Sequence, residues 1–201
     1  MVIGDGDTMQ LPDVPASIFE GEAELAMVVS KRASKVTVDE AMDYVFGYVN
    51  FVDGSARGLL AGMGLPYFMK CQDTFAPIGP YTTTADEVSD PHNLHVTQWN
   101  NGDVTHDYNT DDMAYTIAET IAFVTANTTL DAGDLIAFGV NHQQLHPLQD
   151  GDVVEQEVEG LGKLTFTVGD ELRRTWGRET RGQRVEAGEE GSTPQLSGKY
   201  A

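Results

Sequence analysis

Glu22 and Glu24 stand two residues apart at the mouth of the apolar run Leu25 to Val29. In an extended strand that spacing puts both side chains on one face. Two carboxylates on one face repel unless a cation lies between them, and hard divalent ions such as Mg²⁺ prefer such oxygen ligands. A solvated acidic strand edge explains the same pair without any ion. A second constellation is Asp53-Gly-Ser-Ala-Arg57, after the β-branched and aromatic run Tyr48 to Val52. That run predicts a strand delivering Asp53 at its end, so that a third carboxylate and a guanidinium suited to bidentate pairing with a substrate carboxylate share a cleft. The alternative is an aspartate starting a turn and a surface ion pair. Lys70, one of five lysines, lies between Met69 and Cys71. Beside a metal and an anion it would stabilise an enolate or oxyanion; otherwise it snorkels off its element.

The remaining reactive residues read as structural. His142 and His146 have the i,i+4 spacing that suits zinc on a helix, but Pro147 argues for a loop. His92 and His95 flank a turn, His106 falls in a hairpin strand, and Cys71 reads as a small packed residue.

Positioning such groups requires a core. The chain has 201 residues, 40 % of them hydrophobic, enough for one sizeable domain. Its 12 Lys+Arg against 32 Asp+Glu give a formal charge of −20, which speaks against a nucleic-acid partner. One cysteine allows no intrachain disulfide, no segment reads as a signal peptide, and the longest apolar runs are too short to span a bilayer. A cytoplasmic protein with no membrane partner is expected.

Capping boxes at Thr37-Val-Asp-Glu40 and Thr116-Ile-Ala-Glu119 predict two helices. Leu94 to Trp99, Asn101-Gly102 and Asp103 to Tyr108 predict a hairpin. Gly133 to Phe138 predicts a strand, and Val153 to Val158 with Leu164 to Val168 a last hairpin. Many strands, few short helices and no regular βαβ alternation mean an α+β, mostly-β fold. Residues 1–176 form the expected domain; 177–201 is a polar tail, mobile or pinned against a partner subunit.

In this order, FEGEAELAMVVSK, AMDYVFGYVNFVDGSARG, MKCQDTFAPIGP, TADEVSDPHNLHVTQWNNGDVTHDYNTDDM, LDAGDLIAFG and PLQDGDVVEQEVEGLGKLTF resemble the C-terminal catalytic domain of the fumarylacetoacetate hydrolase family. The resemblance implies a mixed β-sandwich roll that forms a homodimer, binds Mg²⁺ or Mn²⁺, and cleaves, isomerises or decarboxylates small β-dicarbonyl or 2-oxo acids. By matched position Glu22, Glu24 and Asp53 would be the metal ligands. Arg57 would meet a substrate carboxylate, and Lys70 would lie beside the metal and the polarised oxygen. Thr110 matches a family threonine at the substrate. Val140 stands where the family's Gly-Thr-Pro loop has its threonine, so a hydroxyl is missing there.

The resemblance makes hydrolysis of a carbon–carbon bond the default. The family's hydrolases also carry an upstream His–Glu pair that activates water, and this chain is expected to lack it. Isomerisation or decarboxylation, which need no activated water, are therefore alternatives, as is a catalytically weak paralogue serving as a binding or subunit partner. His142 or His146 is a candidate substitute base. Gly58 and Leu60 are further departures from the family pattern, Leu60 standing where many members have glutamine.

Overall fold

The computed structural model describes residues 1–59 and 66–201; the departure at Leu60 lies outside them. Two five-stranded sheets face one another. The first contains β1 (Val2–Ile3), β3 (Ile18–Val29), β4 (Val45–Arg57), β5 (Ala76–Thr84) and β8 (Leu135–Ala137), in the order β1-β5-β4-β3-β8. The second contains β2 (Thr8–Gln10), β6 (His95–Asn100), β7 (Asp103–Asn109), β9 (Val153–Val158) and β10 (Lys163–Gly169), in the order β2-β10-β9-β6-β7. A small pair, β11 (Thr175–Trp176) and β12 (Gln195–Ser197), accompanies them, with α1 (Pro66–Lys70), α2 (Ile117–Asn127) and α3 (Arg181–Glu186). The mostly-β sandwich expected from the sequence is the fold observed.

β3 and β4 organise the molecule. They pair antiparallel along almost their whole length, with Glu22 opposite Asp53 and Glu20 opposite Ser55. Residues directly opposite share a face. The alternation therefore turns Phe19, Ala23, Leu25 and Met27 into the apolar interior and leaves Glu20, Glu22, Glu24, Asp53, Ser55 and Arg57 together on the other side. Burying an aromatic such as Phe19, which is fully covered, contributes about 1.5–3 kcal/mol. Gly54 lets this centre close up. A Cβ there would come within 2.8 Å of the Phe75 carbonyl oxygen and 2.5 Å of the Met9 methyl.

Between the sheets lie two apolar clusters, one around Leu25, Val96 and Val158, the other around Phe19, Val154 and Phe166. On β3, β4 and β9, which contribute to both, the residue between them is polar or has no side chain: Gly21, Asn50 and Gln156. Groups from other segments close the open edge of β3, since β8 pairs only with Ala26–Val28. The carbonyls of Phe19, Ala23 and Leu25 accept from Leu148 N at 2.8 Å, Tyr108 OH at 2.8 Å and Phe138 N at 3.1 Å, and Gln98 Nε2 reaches the Gly21 carbonyl at 3.5 Å. Leaving those buried carbonyls unpaired would cost about 1–3 kcal/mol each.

Several expectations hold. The Thr116 box caps α2, with Glu119 N donating to Thr116 Oγ1 and Thr116 N to Glu119 Oε2. The Asn101-Gly102 turn joins β6 and β7, and β9 and β10 form the last hairpin.

Others are corrected. The helix expected after Thr37 is present at Val38–Tyr44 but is 3₁₀, and the Thr37 hydroxyl donates to the Glu40 side chain and caps no backbone amide. Asp53 does not end its strand: β4 runs on to Arg57, and Arg57 shares the Asp53 face through strand periodicity. Cys71 is exposed. The polar tail has structure of its own. It folds onto its own chain through Thr180-capped α3, the β11–β12 pair, an ion pair between Arg178 and Asp152 at 2.5 Å, and one between Lys199 and Asp13 at 2.7 Å. Among the described residues no helix is long and apolar enough to cross a membrane.

Candidate functional site

On the outer face of β3 and β4, each of Glu22, Glu24 and Asp53 offers a carboxylate oxygen within 4.8 Å of the other two. Glu22 and Glu24 meet there by period-2 alternation and Asp53 by cross-strand register. Lys70, at the end of α1, reaches across to Glu22 Oε2 at 2.8 Å and Asp53 Oδ2 at 2.6 Å. Arg57 donates Nε to Glu20 Oε2 at 3.0 Å and an outer nitrogen to Glu22 Oε1. Gly139 N donates to Glu24 Oε2 at 2.7 Å from a left-handed backbone (φ +79°) that a side-chain-bearing residue adopts poorly. With Pro66, Met69, Ala137 and His142 these groups line one open cleft of about 460 Å³.

The electrostatics are uneven. Burial pushes Glu24 up to about 8, Asp53 adds repulsion, and the Gly139 N–H only partly offsets both. Asp53 is also raised, by burial first and by Glu22 after it, against the pull of Lys70. Glu22 is lowered: burial pushes it up, but Lys70, Arg57 and His142 together outweigh that push. A site that forces a proton onto one of three converging carboxylates near neutral pH is short of positive charge.

The donor set fits a hard divalent ion. Three carboxylates supply oxygen ligands only, and their mutual spacing approaches the span of donors bonded at about 2.1 Å to one Mg²⁺-sized ion. Lys70 and Arg57 pair with carboxylate oxygens of two of these three residues, Glu22 and Asp53.

His142 belongs to the cleft. It lies in the 3₁₀ turn His142–Gln144, half exposed, with Nε2 at 3.4 Å from Glu22 Oε1. Burial holds it below the usual histidine value, partly countered by Glu22. His146 does not reach the site. It is buried against Asn100 at 2.6 Å and pushed down to about 4 by burial. His106 is buried against Gln98, pushed down to about 3, and His92 Nε2 accepts from Ile117 N at the start of α2.

The structure does not bring the Thr110 hydroxyl into the cleft. Thr110 is buried, donates to the Pro91 carbonyl at 2.9 Å and accepts from Leu94 N at 2.9 Å, tying two loops together. Val140 lines a neighbouring groove with Tyr108, Met113 and Phe138, beside Gly139. Two contributors escaped sequence reasoning. Glu20, fully buried, anchors Arg57, and Arg181, from the tail, binds Glu20 in turn. For Glu20 the two-residue spacing was a signal; for Arg181 there was none, since only folding carries it to β3.

A family model described as fumarylacetoacetate (FAA) hydrolase C-terminal matches residues 1–169. An uncharacterized protein of Archaeoglobus fulgidus is 39 % identical over 166 residues, covering 83 % of this chain and 64 % of its own. A mitochondrial oxaloacetate tautomerase of Xenopus laevis is 34 % identical over 175 residues, covering 83 % of this chain and 54 % of its own. In three dimensions the chain is similar to maleylpyruvate hydrolase from Sphingobium sp. SYK-6, solved with manganese(II) and pyruvate. The TM-score is 0.77 and the identity 35 %, over 84 % of this chain and 61 % of that one. The chain thus spans less than two thirds of these three proteins.

Proposed function

Since the chain belongs to the fumarylacetoacetate hydrolase family, we propose that it is a divalent-metal-dependent enzyme cleaving a carbon–carbon bond in a small acylpyruvate-like acid. The observation that carries this reading is the convergence of Glu22, Glu24 and Asp53 beside Lys70 and Arg57. Those three carboxylates would hold Mg²⁺ or Mn²⁺, which supplies Lewis acidity as negative charge develops on a chelating 2-oxo acid. Arg57 binds the substrate carboxylate by its outer nitrogens. Lys70 donates to the oxygen on which enolate charge accumulates. His142, at the cleft, removes a proton from water as that water adds to the distal acyl carbon. The carbon–carbon bond then breaks, and its electron pair returns to the 2-oxo acid as an enolate that is reprotonated. A cytoplasmic homodimer is part of the same reading.

A second reading, tautomerisation, isomerisation or decarboxylation of an oxaloacetate-like acid, is supported by the likeness to an oxaloacetate tautomerase. It uses the same enolate stabilisation and no water. Turnover of an acylpyruvate and of oxaloacetate, with Mn²⁺ and with chelator, tests both. Metal-dependent hydrolysis lost in both Lys70→Met and His142→Ala supports the first reading. Metal-dependent oxaloacetate turnover that survives His142→Ala supports the second. Turnover indifferent to chelator and to Lys70→Met would defeat both, and no turnover of either acid with Mn²⁺ would leave the weak paralogue.

A further inference from the structure

The ion-pair network of the cleft continues inward. Glu20 has no exposed surface, and three guanidinium nitrogens converge on it. Arg181 donates Nε to Oε1 at 2.9 Å and Nη2 to Oε2 at 2.5 Å, while Arg57 contributes its Nε alone at 3.0 Å. Arg181 opens α3, where the Thr180 box and a hydrogen bond from Arg181 N to the Leu145 carbonyl at 2.9 Å fix it. α3 sits tightly against the His142 turn: a Cβ on Gly182 would come 3.0 Å from the Gln143 carbonyl oxygen.

A fully buried carboxylate has to be matched by charge or protonated. Arg181 meets that need with a bidentate fork, the geometry in which a guanidinium best fits a carboxylate. Arg57 is thereby anchored by one nitrogen and keeps its outer end directed at the cleft, where it touches Glu22. With Arg181 gone, Arg57 is the cation left beside Glu20 among the described residues, and the stronger bidentate pairing would turn its fork inward.

We propose that Arg181 is a positioning residue, which by occupying Glu20 keeps the outer nitrogens of Arg57 available to the carboxylate of a small dicarboxylate or 2-oxo acid. This rests on the reading of the three carboxylates as a metal site and of Arg57 as the anion clamp. The polar segment after the sandwich then completes the substrate site from within the same chain.

The test is calorimetry on the full chain, titrating Mn²⁺ alone and then oxalate into the Mn²⁺-loaded protein, with thermal melts as the control for folding. Arg181→Ala should weaken oxalate about tenfold or more and leave Mn²⁺ affinity within about twofold. Arg181→Lys, a point charge without the fork, should fall between. In the double variant Glu20→Gln with Arg181→Ala the inner carboxylate that would turn Arg57 away from the cleft is gone, Arg57 keeps its contact with Glu22, and oxalate affinity should return to within about threefold of wild type.

A purely structural role for Arg181 would not produce that recovery, so a double variant as weak as Arg181→Ala overturns the proposal. So does Arg181→Ala binding oxalate like wild type, which leaves the proposed function standing. Wild-type protein that binds no Mn²⁺ overturns the proposed function, and this inference with it.

Discussion

Glu24 and Asp170 are equally buried, each with 3 % of its surface exposed, and are treated in opposite ways. Asp170 receives four donors: Leu172 N and Arg174 Nη2 on Oδ1, Arg174 N and Nε on Oδ2, all within 3.1 Å. Arg174, itself fully buried, gives its other protons to the Pro12 and Val14 carbonyls and lies over the Phe19 ring at 4.7 Å. Burial alone would raise Asp170, but these bonds outweigh it and the group ends below its ordinary value. Among the described residues Glu24 receives one donor, Gly139 N, and looks onto two other carboxylates. The contrast separates a carboxylate whose charge is paired within the fold from one left with a single donor beside two other carboxylates.

The largest effect should come from breaking the satisfied pair. Arg174→Ala strands a buried carboxylate and should cost about 3–5 kcal/mol in denaturant unfolding, while the surviving folded protein binds Mn²⁺ normally. A loss of Mn²⁺ affinity at unchanged stability would invert the comparison. The complementary change is Asp53→Ala, expected to weaken Mn²⁺ about a hundredfold or more, near 2.7 kcal/mol, and to leave metal-free stability equal or slightly higher. Wild-type Mn²⁺ binding in that variant would remove the three-carboxylate site altogether.

The two carboxylates should also respond to pH in opposite directions. Asp170, lowered in the folded state, contributes stability that is present above its ordinary pKa and lost as pH falls through the folded one. Glu24, raised from 4.5 to about 8, contributes stability present below 4.5 and lost as pH rises through about 8. A bound ion has to displace the Glu24 proton, so Mn²⁺ affinity should climb about tenfold per pH unit from 6 to 8 and then level off. Calorimetry in two buffers of different ionisation heat should count about one proton released per ion at pH 7. A flat affinity with no proton release would mean that Glu24 is already ionised. The smallest effect is expected at Thr110→Val, about 1–2 kcal/mol of stability with oxalate binding unchanged, because its hydroxyl serves the loops and not the cleft. Weakened oxalate there would return Thr110 to the substrate side.

Most of the site was legible because strands have a period of two. Glu22 and Glu24 had to share a face once Leu25 to Val29 was recognised as a strand, and Asn101-Gly102 dictated a hairpin by turn chemistry alone. The Thr116 box was equally local. The same pattern at Thr37 also opens a helix, but a 3₁₀ one in which Thr37 caps no backbone amide. The end of β4 was misjudged because Gly54 normally interrupts a strand. Its tolerance there depends on Met9 and Phe75, residues distant in sequence, filling the space above it.

The sequence by itself determined the β-rich class, the acidic surface, the paired glutamates and the lone lysine among apolar neighbours, all properties of composition and short-range spacing. Tertiary structure alone decided that Asp53 stands opposite Glu22, that Lys70 bridges them, and that a tail residue secures Glu20. The physical reason is range. Periodicity fixes which face a side chain takes, but a charge acts over a few ångströms of space whatever the number of residues between, and only the packed chain sets those distances.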